Sequence, residues 1–138
     1  MTDCIFCKIA AGEIPSTRVY EDDLCVAFLD ILPITPGHAL VIPRAHHSGV
    51  TSTPDDLAAH LLNVAQRVAR AQKTALGAEG VNIFTNEGQI AGQSVFHTHF
   101  HVIPQYASAP HRWNFDSTPY PSPDVPAALA ARLSAALA

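Results

Sequence analysis

The sequence predicts an α+β fold on an antiparallel five-stranded sheet, and three observations carry that prediction. Five short segments have strand character, at residues 18–21, 24–29, 38–42, 81–85 and 97–103. One long stretch after Thr53 repeats its apolar residues at helical spacing, and a shorter helix falls within residues 4–12. The connections are short and the helices stand apart from the strands, which favours antiparallel pairing over a parallel βαβ sheet. The 138 residues suit a single compact domain with a real hydrophobic core.

In chain order, residues 4–12 read as a short amphipathic helix stopped by Gly12 and followed by Ile14-Pro15. Arg18 to Glu21 and Leu24 to Leu29 flank Asp22-Asp23, the signature of a hairpin turn. His38 to Ile42 is a third strand, closed by Pro43, which has no N–H to donate to a ladder. The long helix opens with Thr53 as N-cap, Pro54 at the first helical position and Asp56 three residues on. Leu57, Leu61, Val64 and Val68 then mark one face, and Gly77 ends it. Val81 to Thr85 and His97 to Ile103 are the remaining strands, separated by a polar loop from Asn86 to Ser94 with two glycines. Residues 1–104 form the domain proper. Residues 105–138 extend it as a Pro-rich loop and an Ala-rich helix over Ala127 to Ala138.

Composition excludes several classes of function. With 48% hydrophobic and 14% charged residues the chain is globular, not disordered. A net charge of −4 argues against nucleic acid or an anionic membrane as partner, although local donors still allow a phosphate-bearing small ligand. No run approaches the ~20 apolar residues of a membrane span. Met1-Thr2-Asp3 is not followed by a leader pattern, and three cysteines make no disulfide framework. A reducing cytoplasm is the expected location.

Eight histidines are many for this length, and six of them fall in two groups: His38, His46 and His47, then His97, His99 and His101. A strand sends alternate side chains to one face, so the second group shares a face with Ile103 while Thr98, Phe100 and Val102 point to the core. Neighbours in such a row lie about 6.5–7 Å apart and the outer pair about 13 Å, too far for one ion bound at roughly 2 Å to hold both. The three histidines therefore have different roles or line an extended ligand such as a nucleotide. A His-rich solvent strand and a pure metal-binding strand are the competing readings.

His97-Thr98-His99-Phe100-His101-Val102-Ile103 resembles the His-x-His-x-His-x-x signature of the histidine-triad family. The similarity extends through Asn86-Glu87-Gly88, Gly92-Gln93-Ser94, Asp30-Ile31, Pro36-Gly37-His38 and Val41-Ile42-Pro43. It reaches back to Cys4-Ile5-Phe6-Cys7-Lys8-Ile9 and Glu13-Ile14-Pro15, covering roughly residues 4–104 and lying nearest the nucleoside phosphoramidase branch. The resemblance implies that His99 attacks the α-phosphorus of a purine nucleotide, giving a covalent nucleotidyl-imidazole that water opens to a nucleoside monophosphate. His101 and His38 would hydrogen-bond the phosphate oxygens. Ser94 and Gln93 would contact phosphate or leaving group, with simple loop-surface positions as the alternative. Asp30 would accept from the ribose hydroxyls, Ile31 would pack on the sugar, Phe6, Ile9 and Ile14 would line the base site, and Asn86 would orient the phosphate or ribose. Ile9 and Ile14 read equally well as ordinary core.

Cys4-x-x-Cys7 has the spacing of half a zinc site. The resemblance completes it with His46 and His97 as a structural Cys₂His₂ set, His47 being the alternative to His46. Without an ion, the two cysteines would pack as small hydrophobes on a short helix. Cys25, inside a strand, reads as core. The resemblance further implies a homodimer with a continuous sheet, formed through the long helix and an adjacent strand, although the helix face could equally cover its own sheet. Around Arg112-Trp113-Asn114 the tail could reach a partner's site. The competing functions are a dinucleoside polyphosphate hydrolase, which differs in room beyond the α-phosphate, and a nucleotide-binding scaffold with incidental turnover.

Overall fold

The computed structural model describes residues 3–113 and 115–138, so Asn114 of the Arg112-Trp113-Asn114 tail and the leading Met1-Thr2 lie outside the described residues. The elements run α1 (Ile5–Ala10), β1 (Arg18–Glu21), β2 (Cys25–Leu29), β3 (Ala39–Pro43), α2 (Asp55–Leu76), β4 (Gly80–Phe84), β5 (Phe100–Gln105) and α3 (Asp124–Leu137). One antiparallel sheet takes the order β1-β2-β3-β5-β4, so the predicted five strands and their pairing are present. Three helices accompany it, one more than the long and short pair of the domain proper because the tail supplies α3.

Alternation divides the sheet into two faces. On one, Cys25, Ala27, Ala39, Val41, Phe100 and Val102 meet Leu61, Val64, Ala65, Val68 and Ala69 of α2, so the periodicity that marked the helix is also what buries it. On the other, Val26, Phe28, Leu40 and Ile42 meet Phe6, Ile9 and Ala10 of α1. Gly77 ends α2 with φ 71°, a left-handed conformation that favours glycine. Gly37, at φ 95°, is tied to its place twice over, since an added Cβ would stand 2.6 Å from the Leu76 side chain.

Three local expectations are corrected. The N-cap of α2 is Pro54, not Thr53, and no side chain caps it. The Thr53 hydroxyl is buried instead, donating to the Gly49 carbonyl at 2.8 Å and lying 2.8 Å from the Thr98 hydroxyl. A tertiary hydrogen bond has taken the oxygen that a cap would need. The last strand begins at Phe100, not His97, because residues 97–99 turn toward α1 before the ladder forms, and it ends at Gln105, two residues past Ile103. Pro43, placed as a strand stop, is itself in β3 and pairs with Cys25. Among the described residues no helix is long and apolar enough to cross a membrane.

Candidate active site and metal centre

The histidines gather on the α1 face, and the hydrogen bond at one nitrogen of each ring decides what the other nitrogen can do. His99 is buried with Nδ1 2.7 Å from the carbonyl oxygen of His97. That carbonyl can only accept, so Nδ1 carries the proton and Nε2 keeps a bare lone pair. His38 is fixed differently. The backbone N–H of Ile34 donates to its Nδ1 at 3.1 Å, which places the ring proton on Nε2, facing His101 Nδ1 at 3.0 Å. His101 therefore accepts at Nδ1 and holds its proton on Nε2, ready to donate. Asp30 Oδ2 lies 3.7 Å from His38 Nε2, while Asp30 Oδ1 accepts from the Leu32 N–H.

Burial holds these rings neutral. It lowers the pKa of His99 and of His38, partly opposed in each by the Asp30 carboxylate. It also lowers His101, to about 4, with help from the charge His99 and His38 would carry. A neutral imidazole with a free Nε2 is a nucleophile at ordinary pH, and a neutral imidazole with an Nε2–H is a donor. The rings also pack. His99 and His101 have centroids 5.0 Å apart, Phe6 meets His99 edge-on at 5.0 Å, and Phe84 stacks on His101 at 4.6 Å.

The sequence-predicted nucleoside residues separate into groups. Asp30 stands beside His38, and Ile31 next to it is 91% exposed, a large apolar side chain left bare at the rim. Phe6 and Ile9 are buried in the α1 core and Ile14 is half-buried against it, so Phe6 supports the histidines from below. Asn86 and Ser94 sit on the 86–94 loop, half-buried and exposed respectively. Gln93, expected to contact phosphate or leaving group, is engaged within the chain. Its amide is buried and saturated, with Oε1 accepting from the Gly88 N–H at 2.8 Å and Nε2 donating to the Ser48 and Val95 carbonyls at 2.6 and 3.0 Å. Gln93 thus fastens the loop that carries Ser94. Both nitrogens of His38 are likewise engaged, Nδ1 by the Ile34 N–H and Nε2 by His101.

Sequence reasoning missed four supports: the Ile34 N–H, the Pro43 carbonyl, Phe84, and Thr85, whose hydroxyl donates to the His99 carbonyl at 2.7 Å. Two of these are backbone groups that any residue would supply. Phe84 alone left a trace, as an aromatic in a strand.

A second cluster begins one residue pair earlier. His97 is fully buried, with Nε2 2.8 Å from the Pro43 carbonyl, so that nitrogen is protonated and Nδ1 is bare. Nδ1 points at Cys4 Sγ (3.4 Å), Cys7 Sγ (3.5 Å) and His46 Nδ1 (3.2 Å), and Cys7 Sγ lies 3.3 Å from His46 Nδ1. A tetrahedral ion bound at about 2.3 Å to sulfur and about 2.05 Å to nitrogen would set S···N edges of about 3.5 Å and an N···N edge of about 3.3 Å. The donor set and its spacing fit a metal ion. His46 is the histidine in the group, whereas His47 contributes its backbone carbonyl to the Thr98 N–H. Without a cation, burial and then the adjoining Cys4 thiol push the Cys7 thiol up.

The antiparallel sheet thus carries a tautomer-fixed histidine row beside a Cys₂His₂ quartet whose spacing fits a metal ion. A HIT domain match spans residues 11–108, and the chain belongs to the HIT domain family as one of its enzymes. It is 44% identical to the adenosine 5′-monophosphoramidase hnt1 of Schizosaccharomyces pombe over 102 residues, 74% of each chain. Among solved structures, a Streptococcus mutans protein matches with TM-score 0.92 and 38% identity, covering 100% of this chain and 87% of that one. A zinc-bound histidine triad family protein from Mycobacterium smegmatis matches with TM-score 0.76 and 40% identity, covering 96% and 97%.

Proposed function

We propose that the protein hydrolyses purine nucleoside phosphoramidates or related nucleotides at the α-phosphate through a covalent nucleotidyl-histidine at His99. The observation that carries this reading is the 2.7 Å contact of His99 Nδ1 with the His97 carbonyl, which leaves Nε2 bare on a buried neutral ring. In the first step Nε2 forms a bond to phosphorus while the P–N bond to the amine breaks. His101 donates from Nε2 to a phosphate oxygen, and its orientation is held by His38. Ser94, exposed to solvent, relays a proton from water to the departing amine, its own hydroxyl being restored in the same transfer. In the second step water displaces the imidazole, releasing nucleoside monophosphate and restoring the neutral ring. Asp30 Oδ2 takes the ribose hydroxyls at the far end of the row, with Ile31 against the sugar and Asn86 on the phosphate side.

The related S. pombe monophosphoramidase supports an amine leaving group over a second nucleotide. The quartet Cys4, Cys7, His46 and His97 would hold a structural zinc ion, whose tetrahedral bonds would fix His97 in place. The protein works in the cytoplasm as a homodimer in which a second copy extends the sheet, with residues 105–138 extending the 1–104 domain. Intact-mass analysis after brief mixing with adenosine 5′-phosphoramidate tests the central step. One adenylyl group is expected on the parent and none on His99→Ala; turnover by His99→Ala equal to the parent would end the assignment.

A further inference from the structure

The buried face of α2 runs through Leu61, Val64, Ala65, Val68 and Ala69 and ends on Gln72, a polar side chain only 4% exposed. Its amide nitrogen has two hydrogens and uses both, donating from Nε2 to the Gly37 carbonyl at 3.0 Å and to the Val102 carbonyl at 2.9 Å. These acceptors decide which end of the amide is nitrogen, because a carbonyl can only accept. Oε1 is then left buried, with no hydrogen-bond partner among the described residues. An unpaired buried acceptor destabilises a fold, so packing alone does not account for an amide here. What the amide does achieve is to hold two carbonyls, from two different strands, on one nitrogen.

Each held carbonyl is next to a histidine of the row. Gly37 precedes His38, and Val102 follows His101. The β3–β5 ladder pairs Leu40 with His101 and Ala39 with Val102 and goes no further, so His38 stands just beyond its last rung. Gln72 ties the two strands together there. It does so from the α2 face, where Ala39 and Val102 pack, while the imidazoles of His38 and His101 project from the other. Gly37 can approach the helix this closely because it has no Cβ; one would stand 2.6 Å from the Leu76 side chain. Two further contacts secure the same segment to β5 and the residue after it. The Thr35 hydroxyl donates to the Pro104 carbonyl at 2.5 Å, and the Tyr106 hydroxyl donates to the Pro36 carbonyl at 2.7 Å.

We propose that Gln72 is a positioning residue for the His38–His101 pair: by clamping the Gly37 and Val102 carbonyls from behind the sheet, it sets the 3.0 Å contact of His38 Nε2 with His101 Nδ1. The inference rests on the reading in which His101 donates from Nε2 to phosphate, and adds the part that keeps the proton there. His101 holds its proton on Nε2 while its Nδ1 accepts from His38, and an N–H···N bond weakens steeply as its partners separate or misalign. A slip of about an ångström between the strands would release His101 to its other tautomer. In that tautomer Nε2 is a bare acceptor facing an anionic phosphate. The Gln72 amide reaches only backbone, so it acts through the strands and not on the substrate.

Steady-state kinetics with adenosine 5′-phosphoramidate and nitrogen NMR of the imidazoles, both on the full chain, test the clamp. Gln72→Met keeps the length of the side chain and removes both donors. It should lower kcat ~5–10-fold while KM changes less than about 2-fold. The ring nitrogens of His38 and His101 should lose their separate N–H and lone-pair signatures, while His97 and His99, fixed by other carbonyls, keep theirs. In a His38→Ala background the same substitution should cost less than about 2-fold more, since the bond it sets is already gone. Full additivity with His38→Ala, or unchanged ring signals in Gln72→Met, overturns the proposal. Should Gln72→Met not fold, Gln72→Asn, too short to reach both carbonyls, is expected to show the same losses. A chain that folds with neither substitution makes Gln72 a requirement of the fold alone and also overturns it. A wild type that turns over no phosphoramidate defeats the proposed reaction, and the ring signals, read without substrate, still decide the clamp.

Discussion

Two clusters share the segment from His97 to His101, and they differ in what lies on the far side of each imidazole. In the Cys₂His₂ quartet, His97 donates from Nε2 to the Pro43 carbonyl and turns a bare Nδ1 toward two thiols and another imidazole. In the row of His99, His101 and His38, His99 donates from Nδ1 and keeps a bare Nε2. The same side chain turns its Nδ1 or its Nε2 lone pair outward according to which nitrogen a carbonyl claims. Asp30, His38 and His101 also lie close enough together to suggest a metal. There, however, the 3.0 Å between His38 and His101 is an N–H···N hydrogen bond, since the Ile34 N–H has forced the proton onto His38 Nε2. Proximity of donors is therefore not enough. The lone pairs must converge.

The sharpest test of this division is loss of the nucleophile. His99→Ala should reduce turnover of adenosine 5′-phosphoramidate on the order of 10³-fold or more, with zinc content unchanged by elemental analysis. Cys7→Ser should do the reverse, removing one of the four donors and lowering zinc content while turnover falls far less. Turnover lost in Cys7→Ser as completely as in His99→Ala would break the comparison. His38→Ala should fall between them, reducing kcat on the order of 10-fold because His101 loses its orienting donor, with little change in KM.

The pH dependence sharpens the contrast further. His101 titrates near 4 when folded and His38 is lowered in the same direction, both chiefly through burial, so each binds a proton more readily when unfolded. Stability is thus full above the ordinary histidine range and should be lost as pH falls from about 6.5 toward 4. A urea midpoint independent of pH over that interval would contradict it. The smallest effect is expected away from both clusters, at His60, whose Nε2 meets Asp22 Oδ2 at 2.7 Å, joining α2 to the β1–β2 turn. Asp22 also accepts from the Leu24, Cys25 and Tyr20 donors, which hold its carboxyl well below the usual range despite burial. His60→Ala should cost about 1–2 kcal/mol in denaturant unfolding and leave turnover untouched.

What the sequence by itself determined follows from local rules. Period-two and helical patterning placed five strands and α2, because burial on one face is written residue by residue. Glycine at Gly77 marked the helix end, because a left-handed conformation selects its residue. The spacing of Cys4 and Cys7, and the alternation of His97, His99 and His101, set out the chemical groups together with their family. Only the tertiary structure decided the tautomers, the entry of Gln93 into the loop, the use of Thr53 on Thr98 instead of as a cap, and the isolation of α3. The physical reason is common to the first three. The partners that made these decisions are largely backbone carbonyls and N–H groups, at Ile34, Pro43, Ser48 and His97, and every residue type but proline offers both. Such groups have no side-chain identity for a sequence to display, and they acquire a role only when the fold brings them within 3 Å or so of a ring.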